Sequence, residues 1–226
     1  LSSKIEKLSG RKLINTTSNY EFEIRLIENK EGSCNVLIKL FTLKDERFSY
    51  RKEVIPTSIK AVNAALTVKL AQPYMKEGAQ VLDPFCGVGT MLIERHKAVK
   101  AGTMYGLDIL EEAIEKAREN TAAAGQIIHY INRDFFDFKH EYLFDEIITN
   151  MPFKIGRKTE EEIENLYEAF FSSTKKVLKD DGIMILYSHN AGHVKKMAPA
   201  NGFTVSETFE ISLKEGTYVF VLNRRQ

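Results

Sequence analysis

The sequence predicts an α/β fold in which a mostly parallel sheet ends in an antiparallel hairpin. Two observations predict it. From residue 80 onward, short β-rich runs alternate with longer helical runs, which is the pattern of successive βαβ units. At the C-terminal end, two β-rich runs flank a turn at Glu215-Gly216, and so short a connection permits only antiparallel pairing.

The first elements follow from local composition. Residues 20–27 and 34–41 are predicted strands, because they alternate and are rich in β-formers, and the turn between them contains Gly32. A helix is predicted after Pro56, with Thr57 or Ser58 as its N-cap. It is expected to end before Pro73. The apolar residues at helical spacing, which are its predicted buried face, are Ile59, Val62, Leu66 and Leu70.

The remaining elements alternate up to the hairpin. A helix over residues 111–124 is closed by Gly125, residues 160–179 form the longest helix, and a short helix is expected before Pro199. Residues 90–100 form a further helix. The predicted strands are residues 81–83, 104–108, 127–132, 144–149, 182–188, 203–212 and 217–223.

Composition and charge restrict the class of protein. Of the 226 residues, 43% are hydrophobic and 28% are charged, which is ordinary for a globular protein. The formal net charge of +1 excludes a histone-like polycation. Lys and Arg outnumber Asp and Glu by 14 to 9 in residues 1–78 and are outnumbered by 22 to 18 afterwards. We expect this basic first segment either to contact a polyanion or to reflect ordinary surface variation.

We predict two domains: a small β-rich piece over residues 1–50 and a main domain over residues 51–226. Cys34 and Cys86 are too few for a disulfide scaffold and lack the spacing of a zinc site, so we expect no metal and a reducing, cytoplasmic setting. The apolar runs are too short to span a membrane. Because the chain starts at Leu1, we expect a fragment or a processed chain.

A glycine-rich loop follows the first strand of the main domain. It reads Asp83-Pro84-Phe85-Cys86-Gly87-Val88-Gly89-Thr90, and its two glycines permit a tight turn and a close approach of a ligand to the backbone. Leu92 stands where the dinucleotide-binding fingerprint has its third glycine, so NAD is a poor fit. The Gly-Lys-Ser/Thr of a phosphate-binding P-loop is absent from the sequence, so a P-loop is excluded. Asp83 would repel a pyrophosphate and favours an ammonium group or hydroxyls instead.

Acidic residues also end the next two strands. Asp108 is placed to bond a ribose diol. Asp134 can accept a bond from an adenine amine, and Phe135 can border the base. Each acid taken alone could instead be a helix N-cap. Together with the glycines, the three acids favour a nucleoside-like ligand that carries a positive charge and no phosphate, and S-adenosylmethionine fits that description.

After the fourth strand comes Asn150-Met151-Pro152-Phe153. With this motif the chain resembles class I S-adenosylmethionine-dependent methyltransferases and, more narrowly, the THUMP-associated guanine-N2 RNA methylases (UPF0020-type). The glycine loop is similar to their first motif, and residues 150–153 are similar to their Asn/Asp-x-Pro-Phe/Tyr motif. Tyr50-Arg51 and residues 56–60 resemble the segment before their catalytic domain. The resemblance covers roughly residues 48–226 and implies a Rossmann-like fold with a seven-stranded sheet.

The resemblance implies methylation of the exocyclic N2 amine of guanine in structured RNA, which we expect to be tRNA. S-adenosylmethionine is the implied cofactor and S-adenosylhomocysteine the product. Asn150 and a backbone carbonyl of Met151 or Pro152 would accept the N–H bonds of the amine, and Phe153 would stack on the base. The implied cofactor-binding residues are Asp83, Phe85, Cys86, Gly87, Gly89, Thr90, Asp108, Ile109, Asp134, Phe135 and Asn150.

Several alternatives stay open. Residues 150–153 alone could be a turn after a strand. Lys154, Arg157 and Lys158 could grip RNA phosphates or belong to a solvated loop. The rival reactions are guanine methylation in ribosomal RNA and amine methylation of protein glutamine or DNA adenine, and a rival of another class is a non-catalytic RNA-binding scaffold. Two departures from the family are Met151 in place of proline and an RNA-capture domain that is absent or reduced to residues 1–45.

A few reactive or aromatic residues are left out of the predicted site. Cys86, although implied to bind the cofactor, is not predicted to be a nucleophile, because no histidine lies nearby in sequence to activate it. One histidine lies on a predicted helix as a surface or packing residue. The two that follow the fifth strand lack the acidic partners of a metal site, and two phenylalanines alternate with polar residues as core residues do. The residues left out are His96, His189, His193, Phe136 and Phe138.

Overall fold

The computed structural model describes residues 1–17, 20–40, 46–153 and 159–225. The chain divides into two compact units, Leu1–Arg47 and Phe48–Gln226. The first contains helix α1 (Ser2–Ser9) and an antiparallel hairpin of β1 (Phe22–Glu28) and β2 (Cys34–Leu40). Helix α1 was not predicted from the sequence, and it buries none of its residues, although Ile5 and Leu8 fall at helical spacing.

The second unit is built on a seven-stranded sheet of order β5-β4-β3-β6-β7-β9-β8. All neighbouring pairs are parallel except those of β9, which runs antiparallel to β7 and β8. This confirms the predicted mostly parallel sheet and its C-terminal hairpin. The elements are α2 (Ala61–Ala71), β3 (Gln80–Asp83), α3 (Thr90–Ala98), β4 (Thr103–Asp108), α4 (Glu111–Ala123), β5 (His129–Asn132), β6 (Phe144–Asn150), α5 (Glu160–Thr174), β7 (Leu178–Ser188), α6 (Ala191–Ala200), β8 (Phe203–Ser212) and β9 (Thr217–Arg224).

Alternate side chains of the strands enter two hydrophobic clusters on opposite faces of the sheet. In β6, for example, Ile147 belongs to one cluster and Ile148 to the other. Residues of α5 and α6, such as Phe170, pack in the first cluster. Residues of α2, α3 and α4, such as Val68 and Leu92, pack in the second. Both faces of the sheet are therefore covered, as parallel sheets require.

The order of the strands places a site at one edge of the sheet. Strand β3 pairs with β4 on one side and with β6 on the other, so the chain reverses its winding direction at β3. In open α/β sheets, ligands bind outside the carboxyl ends of the strands at such a point. Asp83, Asp108 and Asn150 are the last residues of β3, β4 and β6 and meet at this edge.

The prediction for α2 is wrong in two respects. Its N-cap is Lys60, so Thr57 and Ser58 lie outside the helix. Val62 and Leu66 are exposed to solvent at 54% and 40%. Small side chains form the buried face instead, because they let α2 approach the rest of the unit closely. These buried residues are Ala61, Ala64, Thr67, Val68 and Ala71.

Two other element boundaries also differ from the prediction. Helix α5 ends at Thr174 rather than at residue 179, because the chain from Leu178 onward pairs with β6. Pro199 lies inside the last turn of α6 rather than beyond it. Within the described residues, no helix is both long enough and apolar enough to cross a membrane.

Candidate functional site

A cavity of about 450 Å³ opens at the carboxyl ends of β3, β4 and β6. It brings together most of the residues that the sequence singles out. Gly89 and Met151 do not line it, and Lys154, Arg157 and Lys158 lie outside the described residues. The predicted residues that line the cavity are Asp83, Phe85, Cys86, Gly87, Thr90, Asp108, Ile109, Asp134, Phe135, Asn150, Pro152 and Phe153.

The glycine loop is held by hydrogen bonds from the neighbouring strand. The N–H of Cys86 donates to the carbonyl of Leu107 at 2.8 Å, and the N–H of Gly87 donates to Asp108 Oδ2 at 2.9 Å. Gly87 has a φ of +50°, and a Cβ built on it would meet no atom within 4 Å. Because Gly87 lines the cavity and has open space beside it, a ligand can approach the backbone there.

Gly89 is needed for a different reason. It is the N-cap of α3 with a φ of +79°, and a Cβ there would collide with the hydroxyl of Tyr130. That hydroxyl is also hydrogen-bonded to Thr121 Oγ1 at 2.8 Å. Gly89 therefore lets α3 begin against the buried ring of Tyr130, and its predicted contact with a cofactor stays a prediction.

The carboxylates of Asp108 and Asp134 also brace the backbone. Asp108 Oδ1 accepts the N–H of Leu110 at 3.0 Å while its Oδ2 holds Gly87. Asp134 Oδ1 accepts the N–H of Phe136 at 3.0 Å and caps a short 3₁₀ turn over Phe135–Asp137. Asp134 therefore performs the N-cap role that the sequence left open. It also lines the cavity.

The electrostatics of the cavity favour a cation. The pKa of Asp83 is raised to about 7, chiefly by burial and to a smaller extent by the charge of Asp108, against the lowering effect of hydrogen bonds from Thr149 and the N–H of Phe85. Burial, together with these two acids, also raises the pKa of the Cys86 thiol well above its usual value, so the thiol is neutral at pH 7. Among the described residues that line the cavity, none is Lys, Arg or His. A cationic ligand would offset the cost of the buried carboxylate.

Asn150 supplies a hydrogen-bond acceptor that none of the described residues uses. Its Oδ1 is buried at the cavity wall without a hydrogen-bond partner among the described residues, and Thr90 Oγ1 is in the same state. Buried polar atoms are rarely left unpaired, so each is suited to a ligand. The next residue, Met151, donates its N–H to the carbonyl of Tyr187 at 2.9 Å and buries its side chain in the core. The side chain and the N–H of Met151 are therefore unavailable to a ligand in the cavity.

Three phenylalanine rings cluster at one wall. Phe85 contacts Phe135 and Phe136 at centroid distances of 6.0 and 6.5 Å. The prediction that Phe136 is a core residue is wrong, because it is 37% exposed and lines the cavity. The 3₁₀ turn breaks the strand-like alternation on which that prediction rested, and only Phe135 and Phe138 are buried.

Two further features of the site were missed. Residues 51–59, which we call the strap, line the cavity through Ile55, Thr57, Ser58 and Ile59. The sequence predicted Thr57, Ser58 and Ile59 as the start of a helix and showed residues 56–60 to be similar to a family segment, and neither observation predicted that they line the cavity. His189, directly after β7, contacts the ring of Phe153 and that of Tyr187, the latter edge-on with ring centroids 5.6 Å apart. Among the described residues, no group of three or more His, Cys, Asp or Glu is placed to hold a metal ion.

Comparison with known proteins agrees with this geometry. Residues 49–217 match the model of a family described as the RMKL-like methyltransferase domain, UPF0020. Among solved structures, the chain is similar to TrmN from Thermus thermophilus, with a TM-score of 0.72 and 22% identity, over 98% of this chain and 65% of that one. At that identity, the likeness shows the fold.

Three curated relatives are more informative about chemistry. A tRNA (guanine(10)-N2)-dimethyltransferase of Methanothermobacter thermautotrophicus is 32% identical over 50% of this chain and 33% of its own length. A tRNA (guanine(6)-N2)-methyltransferase of Thermus thermophilus is 29% identical over 73% and 51%. A ribosomal protein L11 methyltransferase of Dictyoglomus thermophilum is 26% identical over 81% and 54%. The chain therefore spans about half or less of the length of these relatives.

Proposed function

Because the chain belongs to the RMKL-like methyltransferase domain family, we propose that it methylates the N2 amine of a guanine in RNA, with tRNA as the RNA class. The family implies S-adenosylmethionine as the methyl donor, and S-adenosylhomocysteine would be the product. One observation carries the choice of an amine. The Oδ1 of Asn150 is buried at the cavity wall without a hydrogen-bond partner among the described residues, and Pro152 and Phe153 of the same motif also line the cavity.

The residues of the cavity fit the implied cofactor. Gly87 leaves space beside its backbone, and Asp83 is a buried carboxylate that a cation would stabilise. Asp108 would accept bonds from ribose hydroxyls, while Ile109 and Phe135 would border the adenine. When bound, the cofactor would supply a methyl group on a positively charged sulfur, which is a good leaving group.

The protein's own contribution is to position the amine. Asn150 Oδ1 would accept one N–H of the guanine amine, and the carbonyl of Met151 or Pro152 would accept the other. Two such bonds favour a pyramidal nitrogen whose lone pair points at the methyl group. Phe153 would stack on the base, at about 1–3 kcal/mol. Holding the two reactants in line can supply about 7–11 kcal/mol of the barrier.

The choice of tRNA rests on the names of two relatives, both tRNA guanine-N2 methyltransferases. A second candidate, an amine of a ribosomal protein, is favoured by the L11 methyltransferase that matches 81% of this chain. Lys154, Arg157 and Lys158, which follow Phe153 in the sequence, would neutralise RNA phosphates, and residues 1–50 would be the remnant of an RNA-binding region.

The test is a nucleoside analysis in cells. A strain without the gene would be complemented with the full wild-type gene or with its Asn150→Ala form, and its tRNA, ribosomal RNA and ribosomal proteins would be analysed separately by mass spectrometry. We expect N2-methylguanosine to disappear from tRNA without the gene, to return with the wild type, and to stay absent with Asn150→Ala. The matched control is Asn201→Ala, since Asn201 bonds the carbonyl of Met197 away from the cavity.

The results separate the alternatives. Loss of methylation from ribosomal RNA alone would move the substrate to that RNA. Loss from a ribosomal protein alone would overturn the RNA proposal in favour of the second candidate. Restoration of tRNA methylation by Asn150→Ala would remove Asn150 from the mechanism. Retention of S-adenosylhomocysteine binding by purified Asn150→Ala would show that the lost step follows cofactor binding.

A further inference from the structure

We propose that Asn120 is a positioning residue of the cavity, because its side-chain amide joins the strap to the glycine loop and so fixes the spacing of two cavity walls. This inference rests on the proposed function only in taking the cavity as the site of the methyl donor. Asn120 lies in the last turn of α4, outside the glycine loop and residues 150–153, and it is fully buried.

The amide of Asn120 uses all of its hydrogen-bonding capacity on backbone groups. Its Oδ1 accepts the N–H groups of Lys52 and Glu53 at 2.8 and 2.9 Å. Its Nδ2 donates to the carbonyls of Glu53 and Val88 at 3.0 and 3.1 Å. An asparagine side chain has two acceptor sites and two donor hydrogens, so the four bonds leave none unused.

These bonds reach both sides of the cavity. Val88 lines it and lies between the two glycines of the loop, while Lys52 and Glu53 begin the part of the strap that goes on to line it. The strap is stiffened further along by two bonds of its own. Arg51 Nη2 donates to the carbonyl of Ile59 at 2.8 Å, and the N–H of Ile55 donates to Ser58 Oγ at 3.0 Å. A strap that is rigid in itself and pinned at its start is held at a fixed distance from the loop.

Only an amide satisfies all four groups. Alanine would leave two buried N–H groups and two carbonyls without this partner. Aspartate would keep the acceptor for Lys52 and Glu53 but would place an oxygen against the carbonyls of Glu53 and Val88. We therefore expect both Asn120→Ala and Asn120→Asp to loosen the cavity, the first through lost hydrogen bonds and the second through repulsion between the new oxygen and the two carbonyls.

The experiment uses Cys86 as a reporter, because its thiol is buried in the cavity wall. The chain has two cysteines, so the exposed Cys34 would be changed to serine throughout to leave Cys86 as the one thiol. The rate at which a maleimide labels Cys86 would be measured for the wild type, Asn120→Ala, Asn120→Asp and a control, Phe203→Leu. Phe203 is a fully buried core residue of β8 outside the cavity lining, so its variant loses stability without touching the site.

We expect Asn120→Ala to label about tenfold faster than the wild type and to bind S-adenosylhomocysteine about tenfold more weakly by calorimetry, at a temperature where every variant is folded. Phe203→Leu should stay within about twofold of the wild type in both labelling rate and affinity, even if it lowers the melting temperature as much as Asn120→Ala does. If Asn120→Ala does not fold, the same comparison is made with Asn120→Asp.

Two results would overturn the inference: wild-type labelling and affinity in a folded Asn120→Ala, or equal effects in Asn120→Ala and Phe203→Leu. The second would mean that Asn120 acts through overall stability alone. Failure of the proposed function gives a different result, because then the wild type itself would not bind S-adenosylhomocysteine. In that case the labelling rates still decide whether Asn120 holds the two walls together.

Discussion

Arg95 of α3 and Glu146 of β6 form a two-point ion pair in the interior of the second unit. Arg95 Nε and Nη2 donate to the two carboxylate oxygens of Glu146 at 3.0 and 2.8 Å, and the two side chains are 0% and 1% exposed. Arg95 also donates to the carbonyls of Lys76 and Val99. The pair ties the helix that follows the glycine loop to the strand that ends in Asn150.

Breaking this pair on one side should destabilise the fold strongly. In Glu146→Gln, the buried guanidinium of Arg95 loses its counter-charge, and we expect a loss of about 3–5 kcal/mol in the free energy of unfolding. Urea denaturation at pH 7 measures it. The double change Arg95→Met with Glu146→Leu removes both charges and should recover most of the loss. A single change that costs less than about 1 kcal/mol would mean that water reaches the pair.

Asp83 should make the stability of the ligand-free protein depend on pH. Its pKa is raised to about 7 by burial, against about 3.9 for an unfolded chain. Between these values the folded state keeps a proton that the unfolded state has lost, so stability falls as the pH rises and the full penalty is present above pH 7. We expect Asp83→Asn to exceed the wild type by about 2–4 kcal/mol at pH 8, measured by urea denaturation, and by less at pH 5.

The Asp83 carboxylate should give ligand affinity the opposite pH dependence to stability, so that affinity rises with pH. Because the ionised form attracts a cation, the affinity of the wild type for S-adenosylhomocysteine, whose amino group is charged, should rise between pH 6 and pH 8. In Asp83→Asn the affinity should be lower and should lack this rise. A stability difference between the two proteins that is the same at pH 5 and pH 8 would contradict the raised pKa.

His189 should support the substrate rather than the cofactor. Its ring stacks on Phe153 with centroids 4.3 Å apart and planes inclined by 33°, and burial lowers its pKa, so the ring is neutral at pH 7. Without this support, Phe153 would be less firmly placed to receive a base. We expect His189→Ala to raise the KM for RNA several-fold, which corresponds roughly to the interaction energy of one aromatic pair. The affinity for S-adenosylhomocysteine should stay unchanged. His96→Ala, outside the cavity lining, is the control.

The sequence predicted the sheet and most of the cavity because both depend on local patterns. Strand ends, glycines and acids follow one another within a few residues, and the βαβ rule brings them to one edge. The missed features depend on contacts distant in sequence. Asn120 reaches Glu53 across 67 positions, and an alternating pattern could not show that Phe136 leaves the core at a 3₁₀ turn. Two larger apolar residues of α2, Val62 and Leu66, were predicted to be buried but are exposed, because the helix packs against the rest of the unit mainly through alanines.

The two glycines of the loop should respond differently to alanine. Both have positive φ, so each substitution carries a backbone penalty of about 1–2 kcal/mol. A Cβ at Gly87 meets open space beside the cavity, whereas a Cβ at Gly89 meets the ring of Tyr130. Gly87→Ala should therefore lose little more than the backbone penalty but weaken S-adenosylhomocysteine binding at least tenfold, or about 1.4 kcal/mol. Gly89→Ala should lose about 1–3 kcal/mol of stability beyond the backbone penalty.

Gly125→Ala provides the control for this comparison, because Gly125 has a φ of +63°, no atom within 4 Å of a built Cβ, and no place in the cavity lining. It should show the backbone penalty alone, with unchanged affinity. Melting temperature and calorimetry on the three variants separate the two effects. If Gly87→Ala bound S-adenosylhomocysteine as tightly as Gly125→Ala does, the open space beside Gly87 would not be where the ligand approaches the backbone, and the loop would act through its turn alone.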